Sequence, residues 1–219
     1  MFERGVVNNR LALAQRVLAE AERNAGVRPV KEPVVYHNVY DVPQYLLPVF
    51  PHGIAKGSIV EIAGSMSIGV MLAGIVARQG AWVACVGMPS WGWSLANASG
   101  ISLHRCVTIP YVSQHSAQVM SAVIDGFDVV IAPSTLIPHR QQRILERRVR
   151  ARSGVLFSLG SWAGSTGQVH GVMRDASGEI LKNERHVAEI GPISHMDYEV
   201  SSWWGSALVR FSHAGWGGM

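Results

Sequence analysis

The 219-residue sequence predicts an α/β protein, with a largely parallel sheet, helices on both faces and a C-terminal β-hairpin extension. Three observations carry this reading. The run Gly57-Ser58-Ile59-Val60-Glu61-Ile62-Ala63-Gly64 reads as a buried strand entering a glycine turn, and an apolar helix pattern follows it. From residue 58 to residue 159, short apolar runs alternate with helical patterns, which is the rhythm of a parallel sheet. Farther on, Asp175-Ala176-Ser177-Gly178 separates two strand-like runs, as a hairpin turn does.

Composition narrows the class. Hydrophobic residues make up 48% and charged residues 16%, enough apolar material for a sizeable core and too little charge for a disordered chain. The net charge of +4 permits contact with nucleic acid without requiring it. Cys85 and Cys106 sit in apolar runs and no C-x-x-C occurs, so buried reduced thiols are expected, and no metal. The nine histidines are scattered and spell no metal spacing. Ile68–Ala77 is too short to span a bilayer, which takes about 20 residues. The expected location is the cytoplasm.

Taken in order, Asn9–Asn24 places Leu11, Ala14, Val17, Leu18 and Ala21 on one helical face, with Gly26 as a stop. This face suits docking on a partner or on its own domain. Val27–Pro51 carries five prolines and is expected to be an extended linker, so the N-terminal portion is set at residues 1–51. The core domain is set at 52–190. Its strands are expected at Ser58–Ala63, Trp82–Gly87, Cys106–Ile109, Phe127–Ala132 and Gly154–Leu159. Helices are expected at Gly69–Gln79, Leu95–Gly100, Ser116–Ile124 and Pro138–Arg152. Gln168–Arg174 and Glu179–Asn183 form the hairpin. Residues 191–219 are set apart as a mobile, glycine-rich aromatic tail with an edge strand at Leu208–Phe211.

Gly64 and Gly69 hold the spacing of the phosphate-binding loop G-x-x-x-x-G-K-[ST]. Val70 stands at the lysine position and Met71 at the Ser/Thr position. That lysine neutralises the outer phosphates and the hydroxyl holds Mg²⁺, and Val and Met do neither. A loop-like backbone is expected without its phosphate chemistry, and no cofactor.

The segment His52-Gly53-Ile54-Ala55-Lys56-Gly57-Ser58-Ile59-Val60-Glu61-Ile62-Ala63-Gly64 resembles the approach to this loop in RecA-type recombinases, and the likeness runs to about residue 160. The resemblance implies a RecA-like fold and tells where further ATPase residues belong. A catalytic Glu is implied near Met88–Ser94, where Pro89 and Ser90 stand and Val83–Gly100 holds no carboxylate. A metal-holding Asp is implied after the apolar run Phe127–Ala132, where Pro133 and Ser134 stand, while Asp128 lies at the wrong end. With three positions lost, the chain is expected to be a pseudo-ATPase and not an enzyme. Trp91 and Trp93 are expected either to plug the vacated site or to offer a stacking surface.

Among RecA relatives, a short chain with an eroded loop resembles the ImuA-type accessory proteins of SOS mutagenesis. That resemblance implies a non-catalytic role in DNA-damage-induced translesion synthesis, beside a Y-family-like polymerase homologue and a replicative-type polymerase. SulA-type division inhibitors, which bind a tubulin-like protein, are the alternative family. A residual nucleotide-binding protein is the third reading.

Two surfaces are candidates for partner or DNA contact. Pro138–Arg152 bears Arg140, Arg143, Arg147, Arg148, Arg150 and Arg152 against Glu146 alone, with Ile144, Leu145 and Val149 assigned to its buried stripe. Guanidinium forks suit phosphates and carboxylates. The C-terminal segment offers Trp203, Trp204 and Trp216 as aromatic anchors.

Overall fold

A computed structural model describes residues 38–112, 114–182 and 188–219 of the chain. Its parallel strands are β3 (Ser58–Gly64), β4 (Val83–Val86), β5 (Cys106–Ile109), β6 (Val129–Pro133) and β7 (Val155–Leu159), with β1 (Val39–Tyr40) and β2 (Ile54–Ala55) as a small antiparallel pair before them. The antiparallel portion follows as β8 (Gly167–Lys182), β9 (Ala188–Ser201), β10 (Ser206–Ser212) and β11 (Gly215–Gly218). Among the described residues, four α-helices lie between strands: α1 (Met66–Ala77), α2 (Trp93–Ala98), α3 (Ser116–Gly126) and α4 (His139–Arg152).

Nine strands make one sheet in the order β11-β10-β9-β8-β3-β7-β6-β4-β5. β3 is central, parallel to β7 on one side and to β8 on the other. Strand alternation divides the core in two. Val60, Ile62, Val83, Cys85, Ile131 and Phe157 face α1 on one side. Ile59, Ala84, Val130 and Leu156 face Met120 and Val123 of α3 and Leu145 and Val149 of α4 on the other. Every residue of α1 from Ile68 to Val76 is buried, as an all-round apolar helix requires.

The first core face continues onto the antiparallel strands through Tyr198, Val200 and Val209. The second stops at the parallel strands: among the described residues, none from β8–β11 joins it. There the sheet carries ion pairs instead, Arg174 with Glu199 and Arg210 with Asp197. An antiparallel sheet tolerates one wet face; a parallel one needs both covered.

Three expectations change here. Asp175-Ala176-Ser177-Gly178 is no turn: β8 runs through it, opposite Asp197, Met196, His195 and Ile193 of β9, with bulges absorbing the irregular register. Turn-forming residues were recruited into a ladder because a long partner strand satisfies their amides. The tail set apart at residue 191 likewise begins inside β9, and Leu208–Phe211 lies in an internal strand flanked by β9 and β11. The linker before residue 52 is, from Asn38 on, part of the same compact unit, Asn38–Met219. Leu46 and Val49 are buried in the first core, and Ser202 Oγ donates to the Val49 carbonyl. The amphipathic segment Asn9–Asn24 lies outside the described residues.

Candidate functional site

Ligands of such sheets sit beyond the carboxyl ends of the strands, so the end of β3 comes first. Gly64 turns there with φ +78, a conformation that favours glycine. β8 passes so close that a Cβ on Gly64 would collide with the Gly171 carbonyl oxygen. Ser65 donates its N–H to that carbonyl at 2.9 Å and then caps α1, its Oγ accepting the Ser67 N–H at 3.3 Å. The Ile68 N–H donates to the Ser65 carbonyl at 3.2 Å.

The expected loop over Gly64–Gly69 is therefore absent. α1 starts at Met66, only two residues after Gly64, and Gly69 is an interior helical residue. An N-cap serine stabilises an early helix start, and a helical segment cannot converge its amides on a phosphate as a loop does. A Cβ at Gly69 would lie 3.3 Å from Leu159 Cδ2, so close helix–strand packing accounts for this glycine. Val70 is 2% exposed and Met71 0%, both within the core facing α1.

The neighbouring strand ends are closed as well. After β4, Trp91 is buried beside Met88 in the first core, while half-exposed Trp93 opens α2 and meets Trp91 edge to face at 6.4 Å. Trp91 is a core plug; Trp93 is its exposed neighbour. After β6 and β7, buried Gln142 ties two loops together, donating from Nε2 to the Ile137 carbonyl at 3.1 Å and accepting the Ala163 N–H at 2.8 Å. Glu61 accepts the Trp162 N–H at 2.8 Å. Neither Gln142 nor Glu61 stood out in the sequence, because a side chain that serves a distant loop leaves no local pattern.

α4 places the arginines unequally. Arg148 and Arg152 both donate to Asp125 Oδ1 of α3, at 2.9 and 3.0 Å. These two hydrogen bonds hold the Asp125 carboxyl below its ordinary range. Arg150 pairs with Glu146 one turn away at 3.0 Å. Arg140, Arg143 and Arg147 are exposed and have no ion-pair partner among the described residues. The buried stripe is Gln142, Leu145 and Val149; Ile144, expected within it, is 62% exposed. Ile144 borders an open groove of about 520 Å³ between α3 and α4.

The aromatic trio separates too. Trp203 and Trp204 occupy the β9–β10 turn, 61% and 50% exposed, with His52 edge-on to Trp204 at 5.9 Å. Trp216, expected as an anchor in a mobile tail, packs against Phe211 at 5.0 Å and Tyr198 at 5.5 Å, and its Nε1–H donates to Ser99 Oγ at 2.8 Å. It is part of the body.

One His/Asp cluster offers ligand atoms within 4.8 Å of one another: Asp175, His195 and Asp197. Both Asp197 oxygens already accept from Arg210, at 2.6 and 2.7 Å, and the guanidinium depresses the Asp197 pKa. That fixed positive charge opposes a cation. The thiol of Cys85 is pushed up to about 12 by burial, which leaves it unreactive.

Fold and site together define a RecA-like domain whose phosphate loop is replaced by a capped helix start. The crystal structure of the RadB recombinase is similar at a TM-score of 0.53 and 13% identity, covering 80% of this chain and 97% of that one. The chain belongs to the family described as the MT3502 N-terminal domain, whose model matches residues 48–164. No curated protein matches the sequence. Among the described residues, no helix is long and apolar enough to cross a membrane.

Proposed function

We propose that this chain is a non-catalytic accessory protein of DNA-damage-induced (SOS) translesion synthesis, acting by binding other proteins. The observation that carries the non-catalytic reading is the end of β3, where Ser65 caps a helix in place of a phosphate loop. The absence of Lys, Ser/Thr, Asp and Glu at the corresponding positions supports the same reading. The role in translesion synthesis rests on the resemblance to ImuA-type proteins, with a Y-family-like polymerase homologue and a replicative-type polymerase as partners. Exposed Trp203 and Trp204 suit partner contact, since large aromatics left in water are the residues that interfaces bury to most effect.

The test is genetic and biochemical together. Cells lacking the chain are exposed to a DNA-damaging agent and scored for induced mutation and for filamentation. Loss of induced mutation, restored by the wild-type gene and not by Trp203→Ala/Trp204→Ala, is the expected result. Normal mutation with altered filamentation points instead to the SulA-like division inhibitor. Equilibrium dialysis with ATP and Mg²⁺ is expected to find no saturable site, and measured turnover sinks the non-catalytic reading.

A further inference from the structure

We propose that the groove between α3 and α4 binds an acidic amphipathic helix of a partner protein. Its lining includes Ala117, Ser121 and Ala122 from α3 and Gln141, Ile144 and Leu145 from α4. Small residues along one helix and longer ones along the other leave a trough between the two axes. Such a trough receives apolar side chains repeated three and four apart on a third helix. Ile144 stands at its rim, a large aliphatic surface 62% exposed with none of the described residues covering it.

Charge selects the occupant. At about 100° per residue, Arg140 and Arg147 lie one row outward from Ile144, and Arg143 lies beyond them. All three lack an ion-pair partner among the described residues. Asp125, by contrast, is answered by Arg148 and Arg152, so the α3 side of the groove carries no free cation. A helix seated on Ile144 brings one flank against two free guanidinium groups. Acidic residues on that flank form charge-assisted hydrogen bonds, and basic ones are repelled. A nucleic-acid backbone fits less well, because it makes no use of Ile144 or the apolar trough.

The inference rests on reading the chain as a contact protein, and its test is separate from that reading. Full-length protein is titrated by fluorescence anisotropy with a labelled helical peptide of roughly 18 residues, leucines on one face and glutamates on both flanks. A second peptide carries Gln for Glu, and a DNA duplex serves as competitor. The acidic peptide is expected to bind saturably and the Gln peptide about tenfold more weakly. Ile144→Ser, and separately Arg140→Glu with Arg147→Glu, are each expected to weaken the acidic peptide about tenfold or more. These positions are exposed, and circular dichroism and melting verify that the variants fold. No saturable binding, equal binding of the Gln peptide, or indifference to Ile144→Ser overturns the proposal. Duplex DNA that binds through Arg140 and Arg147 and ignores Ile144 overturns it in favour of a phosphate contact. If the peptide fails while damage-induced mutation still depends on the chain, the groove falls and the accessory role stands.

Discussion

At the end of β3, the amides of Ser65, Ser67 and Ile68 are all engaged inside the chain, and Val70 and Met71 are sealed in the core. On the outer face of α4, three guanidinium groups and Ile144 meet solvent with no partner among the described residues. The first region keeps the glycines of a nucleotide site, yet Gly64 and Gly69 are accounted for by close packing against Gly171 and Leu159. The second has no recognisable motif and retains its unspent chemistry. Motif spacing reports where a backbone must turn or approach closely; unsatisfied groups report where a molecule can still act.

The largest expected effect comes from putting the phosphate-loop lysine into the first region. Val70→Lys places a charge among apolar neighbours and is expected to cost about 4 kcal/mol or more. Differential scanning fluorimetry should show Tm falling by roughly 10 °C, with no gain of ATP hydrolysis. A stable variant that binds ATP would break the comparison.

Next comes Gly64→Ala, at roughly 2–3 kcal/mol, since the new methyl meets the Gly171 carbonyl and the positive φ is strained. Urea titration measures it, and a neutral result would show that β8 yields at this point. Trp216→Ala is expected to cost about 2 kcal/mol, because the half-buried ring leaves a gap beside Phe211 and Tyr198. Trp203→Ala should change stability by no more than about 0.5 kcal/mol while abolishing the proposed partner contact. Equal effects of the two substitutions would erase the division between body and anchor.

The clamp between α3 and α4 gives a smaller, pH-dependent effect. The Asp125 carboxyl is held below its ordinary 3.8 by Arg148 and Arg152. Its stabilising contribution is thus complete above that value and is lost as pH falls through the lowered one. Asp125→Asn should flatten this acid limb in pH-dependent melting and lower neutral stability by the small amount that the limb spans in the wild type. The smallest effect belongs to Arg140→Glu with Arg147→Glu, within about 0.5 kcal/mol in the same melts. A larger loss would mean these arginines serve the fold.

By itself, the sequence determined the order of strands and helices from β3 to β7 and the lack of lysine, Ser/Thr and Asp at positions 70, 71 and 133. Both depend on local identity: apolar runs seek cover wherever they lie, and no packing turns Val70 or Pro133 into a ligand. Tertiary structure alone decided that α1 begins at Met66, because Ser65 finds its partner across the sheet on β8. It alone put Gln142 inside and Ile144 outside, since a loop carbonyl and amide needed an amide side chain there. It drew Asp175–Gly178 into a strand and Trp216 into the body while leaving Trp203 and Trp204 in water. Periodicity tells which residues share a face; what covers that face, and which distant backbone group needs a partner, is set only when remote segments meet.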